Sequence, residues 1–378
     1  MDSIIKQIRE LHAQADEDGR RQINNELGKL HASLDTDWDV VLKLAGGPLQ
    51  LGLVKIGADF EIFKALSERT HTISELVDKT GIPSDMLIRF LRGQASFGMI
   101  KEEGTEGFSA NRITRLYAEP NVSGAITYTF DILRPIAHTL PSFLKDRRNT
   151  SITSTYDTVF QKAFNTTQPG FEWMSQHPEH IGNLFKFLAL RPNRDWVDSF
   201  PIEKELESFN EPNKTILVDI GGSTGDQAIL LKKKFPHAAG RIVVQDIQTT
   251  LIHAKPIEGI EFMEYDCFKP QPVKGAKFYY LRYVMHLWQD DKCVEALKTI
   301  VPAMGPDSKI LIDEVVVPAS DVPWQAACQS ILMNSALAGA ERTLVEWQGL
   351  LQAAGLQIVD IFTYDTNMQS IIMVVPKN

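Results

Sequence analysis

The chain has 378 residues, 43% of them hydrophobic, and carries a formal charge of −9. That length suits two or three domains with sizeable cores, and the acidic balance argues against a protein that coats nucleic acid or an anionic membrane. Three widely spaced cysteines, Cys267, Cys293 and Cys328, form no C-x-x-C, which argues against a disulfide framework or a thiolate metal site; no metal is expected.

Met1 to Arg21 is charged and helical in pattern, without the apolar stretch of a secretory signal. No segment reads as an apolar run long enough to span a membrane, so a soluble, cytoplasmic protein is expected. Residues 1–118 are predicted to form a helical and winged-helix domain. Ile4, Ile5, Ile8 and Leu11 keep a helical period, and Leu49–Leu66 reads as one strongly apolar helix. Thr72 and Glu75 make a capping box, Gly81 and Pro83 break the chain, and a second helix follows from Ser84. Met99–Ala110 reads as a strand, a glycine turn and a second strand, which completes a winged-helix pattern. Basic and acidic side chains nearly balance between Arg69 and Tyr117, so this unit is read as a dimerisation module rather than a DNA reader. The apolar faces of the first helices lead to an expected homodimer.

Residues 119–205 stay helical and are dense in aromatic side chains. Phe164, Phe171 and Phe187, together with Met174, suit a hydrophobic ligand chamber as well as a core. His138 and Arg191 are polar groups set among them.

From residue 206 the period changes. Apolar runs at Thr215–Ile220, Arg241–Asp246, Ile260–Tyr265, Phe278–Leu281, Lys309–Val317, Leu356–Thr363 and Ser370–Val375 alternate with helical stretches. Such alternation predicts an α/β fold with a parallel, doubly wound sheet over 206–378. Asp219-Ile-Gly-Gly-Ser-Thr-Gly225 stands where the first strand hands over to a helix, and Gly221, Gly222 and Gly225 permit a sharp turn close to a ligand. The spacing departs from G-x-G-x-x-G, and an acid at its start suits a cationic ligand. Asp246, at the end of the next strand, is placed to accept ribose hydroxyls, and Asp266 follows at a third strand end.

The stretches VDIGGSTGD, VVQDIQ, EYDCFKPQP, YYLRYVMHLWQDDKC, ILIDEVVVP and GAERTLVEW together resemble the plant-type (caffeate-like) O-methyltransferases, in their fungal branch. The resemblance covers essentially the whole chain. It implies a class I Rossmann-like catalytic domain for S-adenosyl-L-methionine behind an N-terminal dimerisation domain. By resemblance, Asp219, Gly221, Gly222 and Gly225 cradle the cofactor's methionine part and Asp246 its ribose. Asp266 with Cys267 and Phe268 lies at the adenine, and Arg282 is a further contact. His286 takes the position of the general base, flanked by Glu314 and Glu341, and Leu287, Met333 and Asn334 join the substrate pocket. A neutral imidazole suits the deprotonation of a phenol at physiological pH.

One residue departs from the family pattern. Leu287 stands where an Asp usually follows the base. The expected reaction is O-methylation of a small phenolic or enolic metabolite. The alternative, suggested by similarity to the O-methyltransferase-like pericyclases, is a dehydration or hetero-Diels–Alder reaction on a 2-pyridone-type substrate without methyl transfer. There His138, Arg191 and His286 would polarise a substrate carbonyl.

Overall fold

The computed structural model describes residues 2–190, 196–207, 214–238, 240–365 and 368–377. The chain divides into two compact units, residues 1–134 with 177–191, and residues 135–176 with 192–378. The aromatic stretch 119–205 contributes to both.

In the first unit, Val54, Ile62, Phe63, Leu66, Leu76 and Leu87 build the core. Leu49–Leu66 is not one helix as expected. Helix Asp37–Asp59 ends at Phe60, Glu61 adopts a left-handed φ of 52°, and helix Ile62–Glu68 sets off anew. The turn re-aims the chain so that Ile62, Phe63, Ala65 and Leu66 are all buried. The Thr72–Glu75 capping box forms, with Thr72 N donating to Glu75 Oε2 at 2.8 Å and Gly81 closing the helix in the left-handed region. The expected hairpin within Met99–Ala110 forms as two short strands, and a third that was not expected joins it: β1 (His71–Thr72), β2 (Lys101–Glu103) and β3 (Gly107–Ser109) lie in the antiparallel order β1-β3-β2.

The expectation that no segment is apolar and long enough for a membrane span is corrected here. Helix Asp37–Asp59 has 23 residues and a mean hydropathy of 1.3 over its most apolar stretch, so it passes by length and composition. Gly46, Gly47 and Pro48 interrupt the run in the sequence, yet the helix continues through them. Within the chain, Trp38, Val41, Leu44 and Leu49 on this helix stay exposed.

The second unit holds the main sheet, formed by β4 (Thr215–Ile220), β5 (Arg241–Asp246), β6 (Glu261–Glu264), β7 (Phe278–Arg282), β8 (Lys309–Val317), β9 (Arg342–Thr343), β10 (Leu356–Thr363) and β11 (Gln369–Pro376). The order is β10-β11-β8-β7-β4-β5-β6, with β9 pairing the end of β8. Strands β4 to β8 run parallel, as predicted. β11 instead enters antiparallel between β8 and β10, so the sheet is mixed. Antiparallel neighbours need only a short connection, and the few residues between Thr363 and Gln369 leave no room for a crossover helix. Both faces are covered. Val218, Ile220, Tyr279, Leu281 and Ile312 pack on one side, and Leu217, Val244, Phe278, Tyr280 and Leu311 on the other. Burial on both faces explains why these strands read as continuous apolar runs. Their parallel course brings the carboxyl ends of β4, β5, β7 and β8 to one edge.

Candidate active site

After β4 the chain turns on glycines. Gly221 N and Gly222 N both donate to Gln245 O, at 2.7 and 3.2 Å, and Gly225 opens helix Asp226–Lys234 with φ 86°. A Cβ on Gly222 would lie 2.6 Å from the Asp219 carboxyl carbon, so this position admits no side chain. Ser223, where the family pattern carries a glycine, sits at φ 51°. That left-handed backbone accounts for the glycine preference, and serine occupies it at a cost of about 1 kcal/mol.

Asp219 is fully buried in the chain, and its Oδ2 has no hydrogen-bond partner among the described residues. Burial pushes its carboxyl up to about 7, opposed by the charge of Arg282. An orphaned buried acceptor beneath a bare glycine turn is suited to a polar, cationic ligand group. Asp246 is pinned by Ser223 N (3.0 Å) and Ile247 N (2.8 Å), one to each carboxylate oxygen, and remains partly exposed at the sheet edge. These residues fit S-adenosyl-L-methionine: Asp219 and the glycine turn for its charged amino-acid end, Asp246 for its hydroxyls.

The remaining cofactor candidates are distributed around this edge. Asp266 is exposed and accepts from Phe268 N at 3.0 Å. Phe268 packs against Trp288 with ring centroids 5.0 Å apart. Burial pushes the Cys267 thiol up to about 12, so it stays neutral. Arg282 is turned into the fold: Nη1 donates to Gln227 Oε1 at 2.8 Å and lies 3.6 Å from Asp313. Asp313 in turn accepts from Tyr280, and from Tyr364 and Gln369 at 2.7 Å each. This buried network ties the helix after the glycine turn to β8 and β11.

His286 lies on a 3-10 turn, Met285–Leu287, directly after β7. Glu314, on β8, holds that turn by its backbone. Its Oε1 accepts from Val284 N (2.9 Å), Met285 N (2.9 Å) and His286 N (3.3 Å). Burial pushes the Glu314 carboxyl up to about 7, with the facing His286 opposing. Tyr283, at φ 54°, gives the chain its bend into the turn. His286 Nδ1 is 2.6 Å from Glu341 Oε1 and 3.7 Å from Glu314 Oε2, and all three side chains are buried. The Nδ1–H tautomer donates to Glu341 Oε1 and leaves Nε2 as the acceptor nitrogen. The three groups lie close enough together to consider a metal ion. However, ligands on a zinc at about 2.0–2.2 Å sit roughly 3 Å apart, so the 2.6 Å separation describes a hydrogen bond.

Three residues outside the sequence-based set hold this arrangement. Arg342 donates to Asp290 Oδ1 (2.8 Å), Met285 O (3.1 Å) and Trp288 O (2.7 Å), which fastens the strap carrying Glu341 to the turn carrying His286. Arg342 lies inside GAERTLVEW, so its signal was present in the motif. Gln329 donates to Glu341 Oε1 at 2.7 Å from helix Trp324–Leu337 and had no signal beyond helical spacing. Gly339 passes so close beneath His286 that a Cβ would lie 2.0 Å from the His286 carbonyl oxygen.

The pocket candidates separate. Met333 O accepts from Gly339 N at 3.2 Å and Asn334 Nδ2 donates to Gly339 O at 3.4 Å, so both shape the strap beside His286. Leu287 is partly buried next to His286. Phe164 stacks on Phe160 at 4.5 Å and meets Trp173 at 4.9 Å, with Met174 buried nearby in sequence. Phe171 is 44% exposed, and His138 is exposed on helix Arg134–Asp146. Phe187 belongs to the first unit, 5.5 Å from Tyr128. Arg191 lies outside the described residues.

A glycine turn with a buried acid, a ribose-type acid one strand over and a buried His–Glu pair define a methyltransferase-fold enzyme. The chain belongs to the O-methyltransferase family, whose domain matches residues 142–357. It is 65% identical to O-methyltransferase okaF of Penicillium ochrochloron, with all of both chains covered. It is 46% identical to demethylsterigmatocystin 6-O-methyltransferase of Aspergillus parasiticus, covering all of this chain and 98% of that one. A solved structure described as a pericyclic reaction enzyme shares the fold with a TM-score of 0.93 at 35% identity, over 100% of this chain and 99% of that one. The family's cofactor is S-adenosyl-L-methionine, which is bound in solved structures of relatives. Replacing Asp246 with alanine is expected to weaken its binding about 10-fold or more, since charge-assisted hydrogen bonds contribute roughly 1.5–3 kcal/mol. Titration calorimetry giving an unchanged affinity would show the ribose lies elsewhere.

Proposed function

We propose that the chain is an S-adenosyl-L-methionine-dependent O-methyltransferase acting on a small phenolic or enolic secondary metabolite, with His286 as general base. The observation that carries this reading is the buried 2.6 Å contact between His286 Nδ1 and Glu341 Oε1. When bound, S-adenosyl-L-methionine supplies an already activated methyl group on its sulfonium. The protein's remaining task is to align the acceptor and remove one proton. A phenol has an ordinary pKa near 10, so transfer to an imidazole whose cation is stabilised by Glu341 makes its oxygen nucleophilic. The proton passes from the acceptor hydroxyl to Nε2, and Glu314 keeps the turn in place meanwhile. Phenolic polyketides of the demethylsterigmatocystin type are the first acceptors to try, since a relative's name specifies one.

Leu287 and the likeness to a pericyclic reaction enzyme favour a second reading, in which the bound cofactor is not consumed. Incubation with phenolic polyketides and with 2-pyridone precursors separates the two. Release of S-adenosylhomocysteine with a product heavier by one methylene supports methylation. Loss of water or an unchanged mass, with the cofactor intact, establishes the alternative.

The protein is also proposed to act as a homodimer, since Trp38 and Leu44 leave an apolar face 66% and 80% exposed at these positions. Light scattering at micromolar concentration is expected to give twice the 42.5 kDa chain mass; a monomer would overturn this.

A further inference from the structure

Glu341 is the hinge of the proposed base, yet its carboxylate is sparsely held. Two hydrogen bonds reach it among the described residues, and both arrive at Oε1: one from His286 Nδ1 at 2.6 Å and one from Gln329 Nε2 at 2.7 Å. Oε2 is buried without a partner among those residues. The neighbouring cation, Arg342, is directed at Asp290 and at three backbone carbonyls instead. From β8 the facing group is Glu314, whose Oε2 lies 3.7 Å from Nδ1, and from the start of the turn it is the Tyr283 ring, 5.4 Å from the imidazole. Neither supplies a positive charge. Thus, besides His286 itself, Gln329 is the donor among the described residues that stabilises an ionised Glu341.

We propose that Gln329 is a positioning residue that sets the protonation state of the His286–Glu341 pair; this rests on the reading of His286 as the base. A donor to a carboxylate favours its charged form, and an ionised Glu341 keeps the proton on Nδ1 and off Nε2. Without that donor the carboxylate's negative charge is less stabilised, so the pair retains a proton up to higher pH. Gln329 comes from helix Trp324–Leu337, which also shapes the strap through Met333 and Asn334.

The test reads the imidazole directly and needs no acceptor. The full chain, labelled with 15N-histidine, is titrated by long-range ring nitrogen–proton NMR, and the His286 signals are identified by their loss in His286→Gln. Wild type is expected to show protonated Nδ1 and bare Nε2 at neutral pH. In Gln329→Met, which keeps length and volume but removes the donor, the protonation midpoint should move up by roughly one pH unit, about a 10-fold rise in proton affinity. Gln329→Glu, of the same shape, should move it further, and it serves as the reading if the methionine variant does not fold. A midpoint unmoved in these variants, with wild type showing a bare Nε2, overturns the role of Gln329 and leaves His286 as base. Wild type showing the proton on Nε2 overturns the base reading and this proposal with it.

Discussion

His286→Ala is expected to lower turnover by about 100-fold or more while the affinity for S-adenosyl-L-methionine stays nearly unchanged. The expectation follows from where the residue sits. Its ring contacts Glu341 and faces Glu314, whereas the groups suited to the cofactor, Asp219 and Asp246, belong to the turn after β4 and the end of β5. Loss of the imidazole removes the proton acceptor, but the backbone of the turn is still held by Glu314 Oε1. The aligned methyl donor retains its intrinsic reactivity, so residual turnover should persist and rise with pH as the acceptor ionises unaided. Steady-state kinetics across pH 6–10, paired with calorimetric cofactor affinity, provide the measurement. Turnover equal to wild type would remove His286 as base. A matching loss of cofactor affinity would mean the side chain supports the binding site instead.

The main sheet was legible because burial on both faces forces strands into unbroken apolar runs. Each of β4, β5, β7 and β8 lies within one residue of its expected limits. The antiparallel insertion of β11 was not legible, since pairing partners leave no mark on a strand that is buried on both sides. The break at Glu61 was hidden for a similar reason: an apolar helix and two helices joined by a tight turn have nearly the same composition. At the site, the resemblance to the family's motifs pointed to His286, Glu314 and Glu341, which the structure brings together. It did not point to the groups that hold them. Gln329 is separated from Glu341 by a helix end and a strap, and Asp313 alternates with Glu314 onto the other face of β8. Such roles are set by where backbones cross. Leu287 shows the reverse case, a residue conspicuous in the pattern whose structural setting beside the base is unremarkable.

Arg342→Ala is expected to destabilise the protein by about 3 kcal/mol and to lower turnover even though the side chain touches neither base nor acceptor. The guanidinium is 2% exposed and holds four partners at once, Met285 O, Trp288 O, Asp290 and, within its own strap, Ala340 O. Met285 O keeps a second donor in Cys293 Sγ at 3.1 Å. Trp288 O loses its principal one, and each buried group left unpaired costs roughly 1–3 kcal/mol. The Asp290 arm contributes less, because that carboxylate is 68% exposed and screened by water. Asp290→Ala should therefore cost well under half as much as Arg342→Ala. Arg342→Lys should recover only part of the loss, since an ammonium cannot reproduce a planar fork reaching four acceptors. Chemical denaturation of the three variants gives the ranking, and kinetics of the folded fraction give the second half of the prediction. With the clamp gone, the strap bearing Glu341 is held less firmly to the turn bearing His286, so kcat should fall more than KM changes. Denaturation midpoints equal to wild type would show that the approach of Gly339 to His286, with the Ala340 N to His286 O bond of 3.0 Å, is sufficient to hold the strap by itself.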